Sequence, residues 1–285
     1  MTKSICLSLA LSLLTLNPIN ADTTELKPRF KLSEFNLSFG TVRGSRPERI
    51  ALSDFQKLAP GSALLASDFS GFSSRGFYHF KDMNQLQVSA GLRNTRKAHG
   101  AVYRFGFSYG SGQHADAYYH QYEQFLKDTL ISPSTKRIYI DSIHGENYDF
   151  ASRAMLLQID LSAIWRSHKP NKMTLFGGIG FSGGASLWAE TALSHKEYSI
   201  LKYSGEHSYN ENNITEQFTN QGQMILAVYL PFGIDYRLSK KHSFWKDLHL
   251  FQETRLRLQY YKLPELSAKT DGNYLMSVGI RYCPS

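Results

Sequence analysis

From Ser33 onward, apolar and polar positions alternate in eight runs with a period of two, as in a strand with one apolar face. The runs are Phe35–Val42, Leu86–Arg93, Ala101–Tyr109, Met155–Arg166, Met173–Leu187, Met224–Leu238, Leu248–Tyr260 and Asn273–Tyr282. In the last, Tyr274, Met276, Val278, Ile280 and Tyr282 share one face, and Ser277, Gly279 and Arg281 the other. The other runs repeat the rule: Leu86, Val88, Ala90 and Leu92; Tyr103, Phe105, Phe107 and Tyr109; Leu157, Ile159, Leu161 and Trp165. Charged residues keep to the opposite parity: Arg93, Arg104, Asp160, Asp235, Arg237, Glu253, Arg255, Arg257 and Arg281.

The connections between runs alternate long and short, with long segments at about 44–85, 110–154, 188–223 and 262–272. A soluble meander has no reason to alternate in this way, whereas a membrane barrel has short turns at one end and long loops at the other. The predicted fold is therefore all-β: a closed antiparallel up-and-down transmembrane β-barrel of eight strands with long extracellular loops. A charge facing lipid at mid-bilayer costs about 2–4 kcal/mol, which explains the strict segregation of charge. A β-sandwich would show the same alternation with its apolar face inward. The aromatics separate the two cases. Trp165, Tyr236 and Tyr282 fall at the short-turn ends, and Tyr109, Tyr260 and Tyr274 at the long-loop ends, as two interfacial girdles require.

Eight strands enclose an interior only wide enough for side chains. The nine inward charges cannot stay isolated there, because unpaired buried charge is very costly. Asp160, Asp235 and Glu253 are expected to pair with Arg104, Arg237, Arg255, Arg257 and Arg281 in a salt-bridged lumen. Gly91, Gly106, Gly178, Gly180, Gly233 and Gly279 share the inward parity and are expected to make room for the guanidinium groups. A gated or anion-selective pore is the alternative to a filled core.

The ends agree with this address. Lys3, the Leu-rich run Ile5–Leu16, the break at Asn17-Pro18 and the small Ala21 form a secretory signal over residues 1–21, leaving 22–285 as the barrel. Cys6 lies inside the apolar run, so lipidation is rejected, and Cys283 alone remains, so no internal disulfide can form. No later segment approaches the roughly 18 continuous apolar residues of a membrane helix. The net charge of +8 suits anionic lipid head groups better than nucleic acid in a secreted chain.

Within the long segments, Ser53-Asp54-Phe55-Gln56 is a capping-box pattern that opens a short helix to Leu58, stopped by Pro60. Leu64, Leu65 and Phe69 follow, an apolar stretch able to fold over the barrel mouth. Ala115–Thr129 and Lys136–Asp149, around the turn signal Ser132-Pro133-Ser134, are strand-like and extend the barrel as a projecting hairpin. Glu190–Gln221, with Tyr198, Tyr203 and Tyr209, is similar. A projecting sheet edge can pair with a strand of another protein. His114, Asp116, His120 and Glu123 are metal-ligand types in no firm metal spacing. Glu206-His207-Ser208 sets acid, base and hydroxyl side by side, but triads assemble in space rather than along the chain. No catalytic residue, metal site or cofactor is assigned.

These strands, the loop rhythm and the run Leu175-Phe176-Gly177-Gly178-Ile179-Gly180-Phe181 resemble the small eight-stranded outer-membrane β-barrels over Phe35–Tyr282. The resemblance implies a Gram-negative outer membrane, with both termini periplasmic and lipid and lipopolysaccharide as neighbours. In that family the last strand ends the chain on an aromatic; here Cys283-Pro284-Ser285 follow Tyr282. The family spans adhesion proteins, structural barrels, narrow pores and lipid-modifying enzymes, so fold does not settle function. The expected function is a non-enzymatic barrel whose surface loops serve binding, adhesion or envelope integrity, with a surface protein as partner through the loop hairpins. The alternatives are a narrow passive pore and a lipid-modifying hydrolase or acyltransferase.

Overall fold

The computed structural model describes residues 29–44, 48–49, 51–96, 100–131, 137–167, 172–203, 206–239 and 245–284. The signal segment 1–21 and the turn Ser132-Pro133-Ser134 lie outside these residues.

The strands in chain order are β1 (Phe30–Gly44), β2 (Glu48–Arg49), β3 (Ser73–Asn94), β4 (Val102–Ile131), β5 (Arg137–Arg166), β6 (Met173–Tyr203), β7 (Glu206–Thr219), β8 (Met224–Arg237), β9 (Leu248–Lys262) and β10 (Lys269–Tyr282). Eight of them form a closed antiparallel ring, β1-β3-β4-β5-β6-β8-β9-β10, shut by pairing of β1 with β10 from Phe35↔Tyr282 to Gly44↔Asn273. Each of the eight predicted runs lies in one stave to within a residue at its ends. Closure leaves the membrane-spanning staves without a free edge, which a sheet in hydrocarbon cannot tolerate.

The side-chain alternation is regular. In β8 the outward Leu226, Val228, Leu230, Phe232 and Ile234 are exposed to the surroundings, while Ile225, Ala227, Tyr229 and Asp235 between them are buried. The same belt runs through Phe105 and Phe107, Ile159 and Leu161, and Val278 and Ile280.

Long segments two and three are strands rather than open loops. β4 and β5 stay paired from the barrel out to Ile131↔Arg137, and β6 stays paired with β5 out to Ile140↔Tyr203. β7 then adds to the far side of β6 (Glu190↔Thr219 to Tyr203↔Glu206), and Ser73–Tyr78 of β3, with β2 beside it, pairs with β4 on the other side, so a sheet running from β2 to β7 projects beyond the barrel. Register shifts at Gln113/Ala115 on β4 and opposite Met155/Leu156 on β6 mark where the barrel wall becomes this sheet. Such bulges bend a strand and raise its local twist.

The first long segment contains one helix, α1 (Leu52–Leu58). Its N-cap is Ala51, not Ser53. The Asp54 carboxylate accepts the Ala51 N–H at 3.3 Å, but alanine has no side-chain acceptor to return the bond, so only half of the expected capping box exists. Phe55 and Leu58 of α1, with Leu64 and Leu65 beyond it, pack on the inner faces of the projecting sheet and on the uppermost lumen residues Val42, Met83, Leu156, Ile225 and Leu275. The segment is thus a plug over the barrel mouth.

Candidate functional site

Two regions hold candidate chemistry: the lumen and the projecting sheet. In the lumen, Glu253 on β9 accepts bonds from Arg255 Nε at 2.6 Å and Arg104 Nη1 at 2.7 Å. Arg104 Nε meets Glu34 Oε1 at 2.6 Å, and Arg255 Nη1 meets Asp160 Oδ1 at 3.2 Å. Asp160 also accepts the Ser108 hydroxyl at 2.7 Å. Asp235 pairs with Arg281 Nη1 and with His249 Nδ1, the latter at 2.8 Å. Arg104, Asp160, Asp235, Glu253, Arg255 and Arg281 are all buried. Charge-assisted bonds at this spacing are the strong class, and the low dielectric around them makes every unpaired group expensive.

Glu34 organises one end of this network and is not among the sequence candidates. Fully buried, it binds Arg104 and Arg166, lies 3.8 Å from Arg281 Nε and accepts the Asn36 amide at 3.1 Å. It falls one residue before the first predicted run because the β1–β3 register shifts between Leu32 and Glu34, which interrupts the alternation there. Its parity with Asn36 and Ser38 is the signal that could have found it. Arg166 also carried an inward parity, at the end of its run.

Three expected lumen members behave differently. Arg93 is exposed at the short-turn rim, because β3 passes the last lumen layer at Gly91, which pairs with Glu34 and Arg104. Arg237 is half-buried at the same rim and makes no ion pair among the described residues; Asp235 is taken by Arg281 and His249 instead. Arg257 is buried, yet its bond is to an amide, Nη2 to Gln158 Oε1 at 3.3 Å.

None of the six inward glycines faces a guanidinium group: Gly180, Gly233 and Gly279 lie against aromatic rings, Gly91 against Glu34 and Val102, and Gly106 and Gly178 against the neighbouring strand. A Cβ at Gly180 would run into the Tyr229 ring, and one at Gly233 would come within 2.7 Å of Phe176 Cζ. Those rings in turn support the arginines. The Arg255 guanidinium lies 4.8 Å from the Tyr229 centroid, and Arg281 lies 5.1 Å from Phe176 and 4.7 Å from Phe251. This is cation–π geometry in a desolvated site. Phe176, Tyr229 and Phe251 escaped the sequence reading because aromatics on a barrel strand are ordinarily counted toward lipid.

On the outer wall, Trp165, Tyr236 and Tyr282 are exposed at the short-turn end, and Tyr109 and Tyr260 at the long-hairpin end; Tyr274 is half-buried.

In the projecting sheet, Phe69 of the plug packs 4.9 Å from Tyr148 and 5.0 Å from Tyr119, and Phe55 lies 5.4 Å from Phe150. Polar latches fix the plug: Asn220 Nδ2 donates to Leu58 O at 2.6 Å, and Glu216 accepts the Ala63 N–H at 3.2 Å and the Ser62 hydroxyl. Asp116 and His120 stand on the outer face of β4 with Tyr118, and Glu123 falls on the other parity. The backbone of His114 precedes the buried Ala115. Among the described residues no three His, Cys, Asp or Glu side chains are placed to hold a metal. Glu206, His207 and Ser208 take consecutive positions at the start of β7, opposite Tyr203, Lys202 and Leu201. On the sheet's outer face Lys196 binds Glu211 at 2.8 Å, and the Tyr209 hydroxyl donates to Glu211 at 2.7 Å.

No protein-family model matches the chain, and no curated protein matches it. Among solved structures the chain is similar to Neisserial surface protein A, at 14% identity and a TM-score of 0.36, over 90% of this chain and 97% of that one. It is also similar to Ail, the attachment invasion locus protein of Yersinia pestis, at 10% identity and a TM-score of 0.26, over 88% and 100%. The outer membrane protease OmpT from Escherichia coli matches at 7% identity and a TM-score of 0.28, over 91% and 99%. A closed ring of eight antiparallel staves, apolar outside and ion-paired inside, is the architecture of a transmembrane β-barrel, and this chain has that fold.

Proposed function

We propose that this barrel is a non-enzymatic surface-binding protein. Its long hairpins stand outside the cell, both termini are periplasmic, and the projecting sheet is the working part. The observation that carries the reading is β7. It is a 14-residue strand paired to β6 without a register break, and among the described residues no strand pairs with its other edge. Natural sheet edges are usually blunted by Lys, Pro or bulges. β7 contains none of these, and its charged residues, Glu206, Glu211 and Glu216, are all acidic. Such an edge suits addition of an extended, basic strand from another surface protein. A lumen filled by ion pairs and capped by the plug argues against the pore reading.

Asn212→Pro and Asn213→Pro test this. Successive backbone N–H groups of an edge strand point alternately toward and away from its neighbour, so one of the two substitutions blocks an added strand while leaving the β6 pairing whole. Bacteria carrying that variant, matched for folded barrel by heat-modifiable gel mobility, should adhere to cultured cell monolayers no better than bacteria lacking the protein. Undiminished adhesion by both variants, or stepwise conductance of the purified protein in planar bilayers, would overturn the reading.

A further inference from the structure

We infer that the lumen holds a small inorganic anion of halide size beside Arg257. The lumen contains four buried carboxylates, Glu34, Asp160, Asp235 and Glu253, and four buried guanidinium groups, Arg104, Arg255, Arg257 and Arg281, with Arg166 and Arg237 half-buried at the short-turn rim. Arginine stays protonated in proteins, so each buried guanidinium calls for negative charge in contact with it. The contacts show which buried guanidinium lacks it. Arg104, Arg166, Arg255 and Arg281 each bind a carboxylate, whereas Arg257 makes no ion pair among the described residues.

Arg257 is only 5% exposed. Its Nε and Nη1 have no hydrogen-bond partner, and the same holds for Nε2 of Gln158, which accepts its remaining bond, and for Nε2 of Gln259, two residues along the same face of β9. Gln259 Oε1 is already taken by Asn273 Nδ2 at 3.1 Å, and Asn273 is the strand neighbour of Arg257 in the β9–β10 register. Four N–H-bearing atoms on Gln158, Arg257 and Gln259 therefore lack acceptors, against one acceptor without a donor, Asn273 Oδ1, on the neighbouring strand. Water can satisfy donors but cannot neutralise charge, and the carboxylate that acts on Arg257 from a distance, Asp160, is already bound by Arg255. An acceptor that carries negative charge answers both demands.

The surroundings set the size. The ion-paired layer of Arg255, Asp160 and Glu253 closes the lumen on the short-turn side, and Leu156, Ile225 and Leu275 under the plug close it on the other. Small residues, Ser108, Ser182 and Ala227, occupy neighbouring inward positions. We restrict the anion to a monatomic or similarly small one, since a nucleotide or a lipid head group would displace these layers. The inference does not depend on β7 or on any partner at the cell surface.

Crystals of the full chain grown in bromide give the direct test: an anomalous peak beside Arg257 is expected in the native protein and should be lost in Arg257→Met. Thermal midpoints in detergent give the second measurement. At matched ionic strength, replacing gluconate by chloride should raise the native midpoint by several degrees and leave the Arg257→Met midpoint unmoved. Ordered water only at the site in bromide crystals, or an equal chloride response in both proteins, would overturn the inference.

Discussion

Within a single strand, β5 runs through two proteins of opposite polarity. In the barrel its outward residues are Leu157, Ile159 and Leu161, and its inward residues are Gln158 and Asp160. A few residues further out, the outward positions carry Asn147, Asp149 and Arg153, and the inward ones are Tyr148, Phe150 and Ala154. The side-chain parity never changes; the solvent does. Against lipid, apolar groups belong outside and polar groups must find partners within. Against water, the order reverses and an ordinary apolar core forms, filled here by the plug. The crossover lies at Met155–Leu156, where both faces are apolar, opposite a bulge on β6 where Leu187 and Trp188 are both exposed.

The two halves should therefore fail in different ways. The largest effect is expected in the lumen. Glu34→Ala leaves Arg104 and Arg166 without a shared carboxylate and removes the acidic neighbour of Arg281. Breaking a buried pair by removing one partner costs about 3–5 kcal/mol. Urea titration of the barrel refolded in lipid vesicles should show a loss in this range. A variant as stable as the native protein would mean that the lumen tolerates unpaired arginine, and would remove the contrast with the apolar upper core.

This organisation was unevenly legible in the sequence. The lipid-facing parity could be read directly, because a belt that allows no charge leaves a strict two-residue signal in every stave. Arg104, Asp160, Glu253, Arg255 and Arg281 followed from the opposite parity. Glu34 did not, because a bulge breaks the alternation beside it, and His249 did not, because a histidine in an apolar run gives no sign of its partner. The plug was readable only as an apolar stretch. Where Phe55 meets Phe150 is decided by a tertiary contact between residues 95 apart, and local periodicity contains no information on it.

A matched pair of substitutions on the outward face of β5 sharpens the comparison at intermediate magnitude. Leu161→Lys places an ammonium in the lipid belt between Phe105 and Phe181, its strand neighbours, and should cost about 2–4 kcal/mol. Ala151→Lys, on the same parity ten residues away and above the crossover, should change stability by less than about 0.5 kcal/mol. Both are measured by the same vesicle unfolding assay. Equal costs would show that the belt extends farther along β5 than the change in its residues implies. A cost at Ala151 alone would reverse the assignment of the two halves.

The smallest predicted effect separates two strands within the projecting sheet. Hydrogen bonds from Lys196, and next from Tyr209, hold the Glu211 carboxyl on β7 below its ordinary value. Its stabilising contribution is present above the unfolded-state value and is lost as pH falls through the lowered folded one. On β5, burial and then the neighbouring Asp116 push Asp149 up. A raised carboxyl works in the opposite sense: its charged form is disfavoured in the fold, so acidification through that range relieves the strain. Hydrogen exchange at β7 amides, corrected for intrinsic rates, should therefore lose protection as pH is lowered from 6 toward 3, while amides around Asp149 hold or gain it. Glu211→Gln should flatten the β7 response. Because Glu211 is exposed, salt should weaken the effect as well. An unchanged β7 profile in Glu211→Gln would show that β7 is held by its backbone ladder to β6 alone, leaving its outer face free of any part in fixing the edge.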